Sequence, residues 1–234
     1  MSETMKILSP VTDFLLPRYC KVCGRRLSVS EEHLCISCFI GLPIVEYDSE
    51  TLNRAETLLL SERNLVRASA LLQYDKESDY RRILFHLKYW GHPDVGLWLA
   101  SKGAEKLDET GFFDGVESII PLPLTRRRFR KRGYNQCMYI AQGIRKVTGL
   151  PVVDHAVIRH EDNRVHQAGL GLFQRWSNAQ GLFQVVDPEP LRGKHVLLVD
   201  DVMTTGSTLC SLIGALRQSV PDIRVSVFTL AITI

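Results

Sequence analysis

The sequence has no long hydrophobic run. Its longest uncharged apolar stretch, Val225 to Ile234, falls far short of the roughly 20 residues a membrane helix needs. No apolar segment with a small-residue cleavage site follows Met1, so the sequence predicts no signal peptide and a cytoplasmic location. Internal repeats and low-complexity tracts are also missing. Net charge is slight: 29 Lys+Arg against 26 Asp+Glu in 234 residues gives +3, too little to imply a nucleic-acid partner by itself. With 45% hydrophobic and 24% charged residues, the chain is not a disordered one.

One local absence is more telling. No acidic residue occurs between Glu117 and Asp154, and six of the seven residues from Arg126 to Arg132 are basic. The weak overall charge hides a strong local field. The segment Leu122, Pro123, Leu124, Arg126, Arg127, Arg128, Arg130, Arg132 reads as a basic loop after a strand ending at Ile120. It suits a pyrophosphate clamp or a groove for a nucleic-acid backbone, with Phe129 and Tyr134 placed to stack on bases. The plainer reading is a solvated basic turn.

Four of the six cysteines, Cys20, Cys23, Cys35 and Cys38, form a C-x2-C-x11-C-x2-C pattern. Each pair can aim two thiolates at one ion from a tight turn, and two such knuckles make the tetrahedral shell of structural Zn²⁺. Paired disulfides fit a reducing compartment poorly, a redox motif needs one pair only, and an iron–sulfur cluster is less usual at this spacing. Four sulfurs leave no open coordination position, so the metal is expected to stabilise a segment too short to bury a core. His33 is expected to be exposed, and Cys137 and Cys210 to be small buried residues of helices.

The rest of the chain alternates strand and helix patterns. Helices are predicted over 49–63, 80–90, 95–107, 135–147 and 207–219; strands over 68–74, 116–120, 195–199 and 225–230. This rhythm predicts an open, parallel α/β sheet, with ligands beyond the carboxyl ends of its strands. The division expected is a zinc-binding module at 1–48 and an α/β domain at 49–234.

The sharpest motif follows the unbroken apolar strand His195 to Val199: Asp200, Asp201, Val202, Met203, Thr204, Thr205, Gly206, Ser207, Thr208. A hydroxyl-rich turn at a helix start offers backbone N–H groups, a dipole end and hydroxyls to a phosphate. The two acids then need a different partner, either the hydroxyls of a ribose or the waters of Mg²⁺. A helix cap alone would explain one hydroxyl, not two acids beside four hydroxyl residues and a glycine.

This segment closely resembles the thirteen-residue signature of type I phosphoribosyltransferases. The order of four-cysteine knuckles, Leu87-Lys88-Tyr89-Trp90-Gly91, the proline-flanked basic segment ending Arg132-Gly133-Tyr134-Asn135-Gln136, and the Asp200–Thr208 loop is similar to the bacterial competence protein F (ComF) family over essentially the whole chain. Gln167, Leu170, Arg175, Asn178 and Phe183 stand at the spacings of a further segment of that family. The resemblance implies a type I phosphoribosyltransferase fold. It implies that Asp200 and Asp201 are the catalytic pair that holds the ribose of phosphoribosyl pyrophosphate, with residues 202–208 on its 5-phosphate and Mg²⁺ on the pyrophosphate. It also implies a role in transformation competence, alongside DNA-uptake and recombination partners near the inner face of the membrane. Residues 159–180, with Arg164, Gln167, Arg175 and Asn178, are expected to form a mobile cover. Two functions stay open: transfer of phosphoribosyl to an acceptor, or a non-catalytic protein that binds single-stranded DNA on the same scaffold.

Overall fold

A nearly continuous apolar run from His195 to Val199 is what a strand needs when both of its faces are covered, and the computed structural model places it at the centre of a parallel sheet. The structure describes residues 17–75, 77–161 and 181–234. In chain order the elements are α1 (Ile36–Ile40), α2 (Arg54–Leu58), β1 (Leu65–Tyr74), α3 (Arg81–Lys88), α4 (Asp94–Asp108), β2 (Ser118–Pro121), α5 (Arg126–Arg132), α6 (Gln136–Thr148), β3 (Val157–Arg159), β4 (Phe183–Val185), β5 (His195–Met203), α7 (Ser207–Ser219) and β6 (Arg224–Thr233). The main sheet has four parallel strands in the order β1-β6-β5-β2.

Side chains alternate across β5, so its apolar run feeds two cores. Leu197 and Val199 face a cluster with Ile83, Leu87, Leu99, Ile140 and Ile144 from α3, α4 and α6. Val196 and Leu198 face another with Ala55, Leu59, Leu209, Leu212 and Leu216. Helices α4 and α6 pack closely because Gly143 has no side chain: a Cβ there would collide with the Leu97 carbonyl oxygen. Both borders of the sheet are covered. Val45 N–H donates to Leu71 O and Gln73 N–H to Pro43 O, each at 2.9 Å, along β1. On the other side Ile119 N–H donates to Pro151 O (2.9 Å) and Val153 N–H to Ile119 O (2.8 Å).

Several expectations shift. The helix predicted over 49–63 is short: Asn53 and Glu56 form a capping box that starts it at Arg54, which leaves Leu52 outside and 68% exposed. The basic segment is not a loop but the helix α5. Thr125 Oγ1 accepts from Arg128 N–H at its start and Gly133 ends it at φ 83°. Strand β5 runs on to Met203, so both acids lie in its last residues rather than in the turn. The antiparallel pair β3–β4 has no counterpart in the predicted strands.

The cysteine module does not stand apart. Cys20, Val22, Leu27, Leu34, Cys35 and Leu42 belong to the same buried cluster as Ile83 and Leu99. His33, expected to be exposed, is half-buried against Trp98 (ring centroids 5.4 Å), with Nδ1 3.6 Å from the Asp94 carboxylate. Burial lowers its pKa.

Candidate functional site

Strands β2 and β5 are hydrogen-bonded neighbours, with Pro121 opposite Val199, and Leu122 N–H donates to Val199 O at 2.9 Å. Their carboxyl ends therefore open side by side, where ligands of such sheets bind. Asp200 and Asp201 stand at that end. Asp200 Oδ1 accepts from Asp201 N–H (2.8 Å) and from the thiol of Cys137 (3.5 Å) on α6. Asp201 Oδ1 is 2.8 Å from the Lys88 ammonium at the end of α3, while its buried Oδ2 has no hydrogen-bond partner. Ligand atoms of Cys137, Asp200 and Asp201 lie within 4.8 Å of one another.

The electrostatics follow from enclosure. Burial, and then the charge of Asp201, raise the Asp200 carboxyl to about 7. Burial works against the Lys88 ammonium, but the charge and hydrogen bond of Asp201 outweigh it and raise the pKa. Burial and the charge of Asp200 push the Cys137 thiol up, so it stays protonated and donates. Cys137 is thus more than the small buried residue expected, and Cys210 is only half-buried.

Beyond Met203 the chain turns into α7. Gly206 sits at the helix N-cap with φ 73° and has no side chain to cap it, while Thr205 Oγ1 accepts from Ser207 N–H at 3.5 Å. A helix-end bond thus accounts for one hydroxyl, that of Thr205, and not for the others. Thr204, Thr205 and Ser207 are exposed and Thr208 half-buried; Thr205 donates to Ser207 Oγ at 3.1 Å. An anion placed here would meet hydroxyls and the positive end of α7 together.

Helix α5 starts just past the end of β2. Leu122 is buried in the core, and its carbonyl accepts from Asn135 Nδ2 at 3.0 Å, with Asn135 also capping α6. Pro123 and Leu124 are half-buried, and Arg126, Arg127, Arg128 and Arg130 are exposed. Leu124, Arg126, Phe129 and Arg130 line a hollow of about 470 Å³. Arg132 bonds the Gln136 side chain and lies over the Tyr89 ring at 5.6 Å, and Tyr134 donates to Leu87 O at 2.8 Å. These contacts tie α5 to the end of α3 that carries Lys88. Arg164, Gln167, Arg175 and Asn178 lie outside the described residues.

Sulfur atoms of Cys20, Cys23, Cys35 and Cys38 lie within 4.8 Å of one another, with Cys23 and Cys35 at 3.7 Å. Zinc–sulfur bonds of about 2.3 Å in a tetrahedron put sulfurs ~3.8 Å apart, so the four thiols fit one ion. None is in a disulfide. Burial opposes ionisation of Cys20, but N–H groups of Cys35, Cys23 and Val22 outweigh it and lower the thiol to about 7. The two carboxylates, one with an unpartnered oxygen, suit the oxygen shell of Mg²⁺, which the Cys137 thiol does not.

Lys88, which pairs with Asp201, is the charged residue at these acids to which the sequence reading assigned no role. Its signal was position: it follows the buried Leu84 by one helical turn, on a face where a charge needs a partner.

The phosphoribosyl transferase domain family matches residues 135–231. Competence protein F of Haemophilus influenzae is 28% identical over 88% of this chain and 82% of its own. DNA utilization protein YhgH of Salmonella typhimurium is 31% identical over 86% of this chain and 84% of its own. The chain belongs to the competence protein F family. Within this family the chain keeps a phosphoribosyltransferase-like fold: a parallel sheet flanked by helices, with four clustered cysteines near its start. A solved structure of the allosteric regulatory enzyme of purine biosynthesis aligns at a TM-score of 0.39 with 18% identity, over 61% of this chain and 29% of that one. Among the described residues, no helix is long and apolar enough to cross a membrane.

Proposed function

We propose that this competence protein F homologue binds phosphoribosyl pyrophosphate, or a related sugar phosphate, with Mg²⁺ at the carboxyl end of β5. The observation that carries this is one continuous segment in which two carboxylates precede a hydroxyl-rich turn and a helix start whose N-cap is a glycine. Asp200 and Asp201 orient the ribose, and Thr204 to Thr208 hold the 5-phosphate. The cations of α5 face the departing pyrophosphate, and Mg²⁺ supplies charge neutralisation there. Transfer would break the anomeric carbon–oxygen bond to pyrophosphate as an acceptor attacks that carbon. The relatives named for competence and DNA utilization support a cellular role in DNA uptake. We place that role in the cytoplasm, beside DNA-handling partners.

Phosphoribosyl pyrophosphate with Mg²⁺, at about 100 times its Kd, should stabilise the fold by ~2.7 kcal/mol, or about 5–10 °C in Tm. Asp200→Asn with Asp201→Asn should lose the shift. No shift in the parent protein removes the reading.

The exposed arginines of α5 and the half-exposed Phe129 favour a second reading, a backbone groove for single-stranded DNA. Its binding should weaken steeply with salt, and replacing Arg126, Arg127 and Arg128 by Ala should reduce the log–log slope by about 2. Equal slopes in parent and triple variant clear α5 of that role.

A further inference from the structure

Two carboxylates side by side in an enclosed place need a cation between them, or a proton on one of them. Here the cation belongs to the protein. Lys88 brings its ammonium 2.8 Å from Asp201 Oδ1, with the two side chains only 23% and 7% exposed. The other Asp201 oxygen is buried and has no partner, although an Asp200 oxygen lies within 4.8 Å, close enough to share one ion with it. The carboxylate is thus half satisfied, and the free half points to a ligand. A divalent ion bound to Asp201 would sit a few ångströms from the ammonium, where like charges repel by several kcal/mol at the dielectric of a protein surface. The ion and the ammonium compete for one carboxylate.

We propose that Lys88 is a resident counter-cation: it holds Asp201 in the ligand-free protein, yields it to a divalent metal, and so sets the metal affinity of the acid pair. Its place on the fold allows this exchange. Lys88 is the last residue of α3, its long stem can swing, and the chain beyond it turns at Gly91, where φ is 70°. Tyr134 holds the Leu87 carbonyl and Arg132 lies over the Tyr89 ring, so the helix end is anchored on both sides of Lys88 by contacts other than its own side chain. The inference rests on the acid pair as a Mg²⁺-assisted sugar-phosphate site, but its test needs the metal alone.

Mn²⁺ titrated into the full chain at about pH 8, read by electron paramagnetic resonance without sugar phosphate, reports the affinity. Lys88→Met should tighten Mn²⁺ binding about tenfold or more, Lys88→Arg should stay near the parent, and Asp201→Asn should lose the site. Unchanged or weaker binding in Lys88→Met overturns the proposal, as does parent protein that binds no Mn²⁺. Removing one partner of a buried ion pair can unfold a protein, so the parent chain supplies a second measurement. Acylation by an amine reagent, followed by mass spectrometry, should find Lys88 protected without metal and labelled faster as Mg²⁺ rises. Labelling that ignores Mg²⁺ overturns the proposal. A Tm shift by phosphoribosyl pyrophosphate alongside metal-blind Lys88 sinks the counter-cation and leaves the sugar-phosphate reading standing. Metal exchange without any Tm shift does the reverse.

Discussion

An enclosed carboxyl group next to another carboxylate keeps its proton further up the pH scale, and Asp200 is such a group. Its pKa is raised to about 7 by burial and by Asp201, against roughly 3.9 in an unfolded chain. The folded protein therefore binds the extra proton between these values, and stability falls as pH rises from about 4 through about 7. Thermal melts should show Tm dropping over that window in the parent and a shallower drop in Asp200→Asn; equal slopes would exclude Asp200 as the source. Asp200 and Asp201 were legible in the sequence because they end an apolar run. Lys88 and Cys137 were not, because each reaches the acids from a helix far away in the chain. Only the packing of α3 and α6 onto one face of β5 sets them at 2.8 and 3.5 Å.

Among the elements, α7 begins where a side chain would be unwelcome. Gly206 has φ 73°, and a Cβ on it would come within 3.2 Å of Leu59 Cδ2 and 3.3 Å of the Leu58 carbonyl. Gly206→Ala should cost about 1–2 kcal/mol from the left-handed backbone alone, and Tm should fall by a few degrees. A Tm equal to that of the parent would show that the turn relaxes freely. Helix α7 was readable to the residue, since its apolar positions recur at helical spacing after a glycine. Helix α5 was not. Six like charges among seven residues oppose a helix, and the prolines before it suggested a loop. Thr125 at one end, Gly133 at the other, and the Glu161 carboxylate accepting from Arg127 N–H at 2.8 Å restore it.

At the scale of the molecule, the parallel sheet was written in the apolar runs, whereas the merging of the cysteine module with the main core was not. That merging depends on contacts such as the Tyr80 hydroxyl donating to Cys38 O at 3.2 Å, between segments with no shared pattern. The strands of β3 and β4 are too short to leave a period. We propose that residues 1–48 and 49–234 are two units in sequence that melt as one, with one zinc ion per chain. Cys35→Ser should lose the zinc in metal analysis and lower the Tm of the entire chain in a single transition. A separate early transition, with the main one unmoved, would show the units to be independent.

The segment Pro43–Val45 leaves the cysteine module and lies down along β1, filling hydrogen-bond positions that would otherwise be bare. Losing the zinc proposed for the four cysteines would do more than loosen a knuckle: it would weaken the hold on this strap and bare the rim of the sheet to other copies of the chain. Demetallated protein should then clump through strand addition as its lowered single transition sets in.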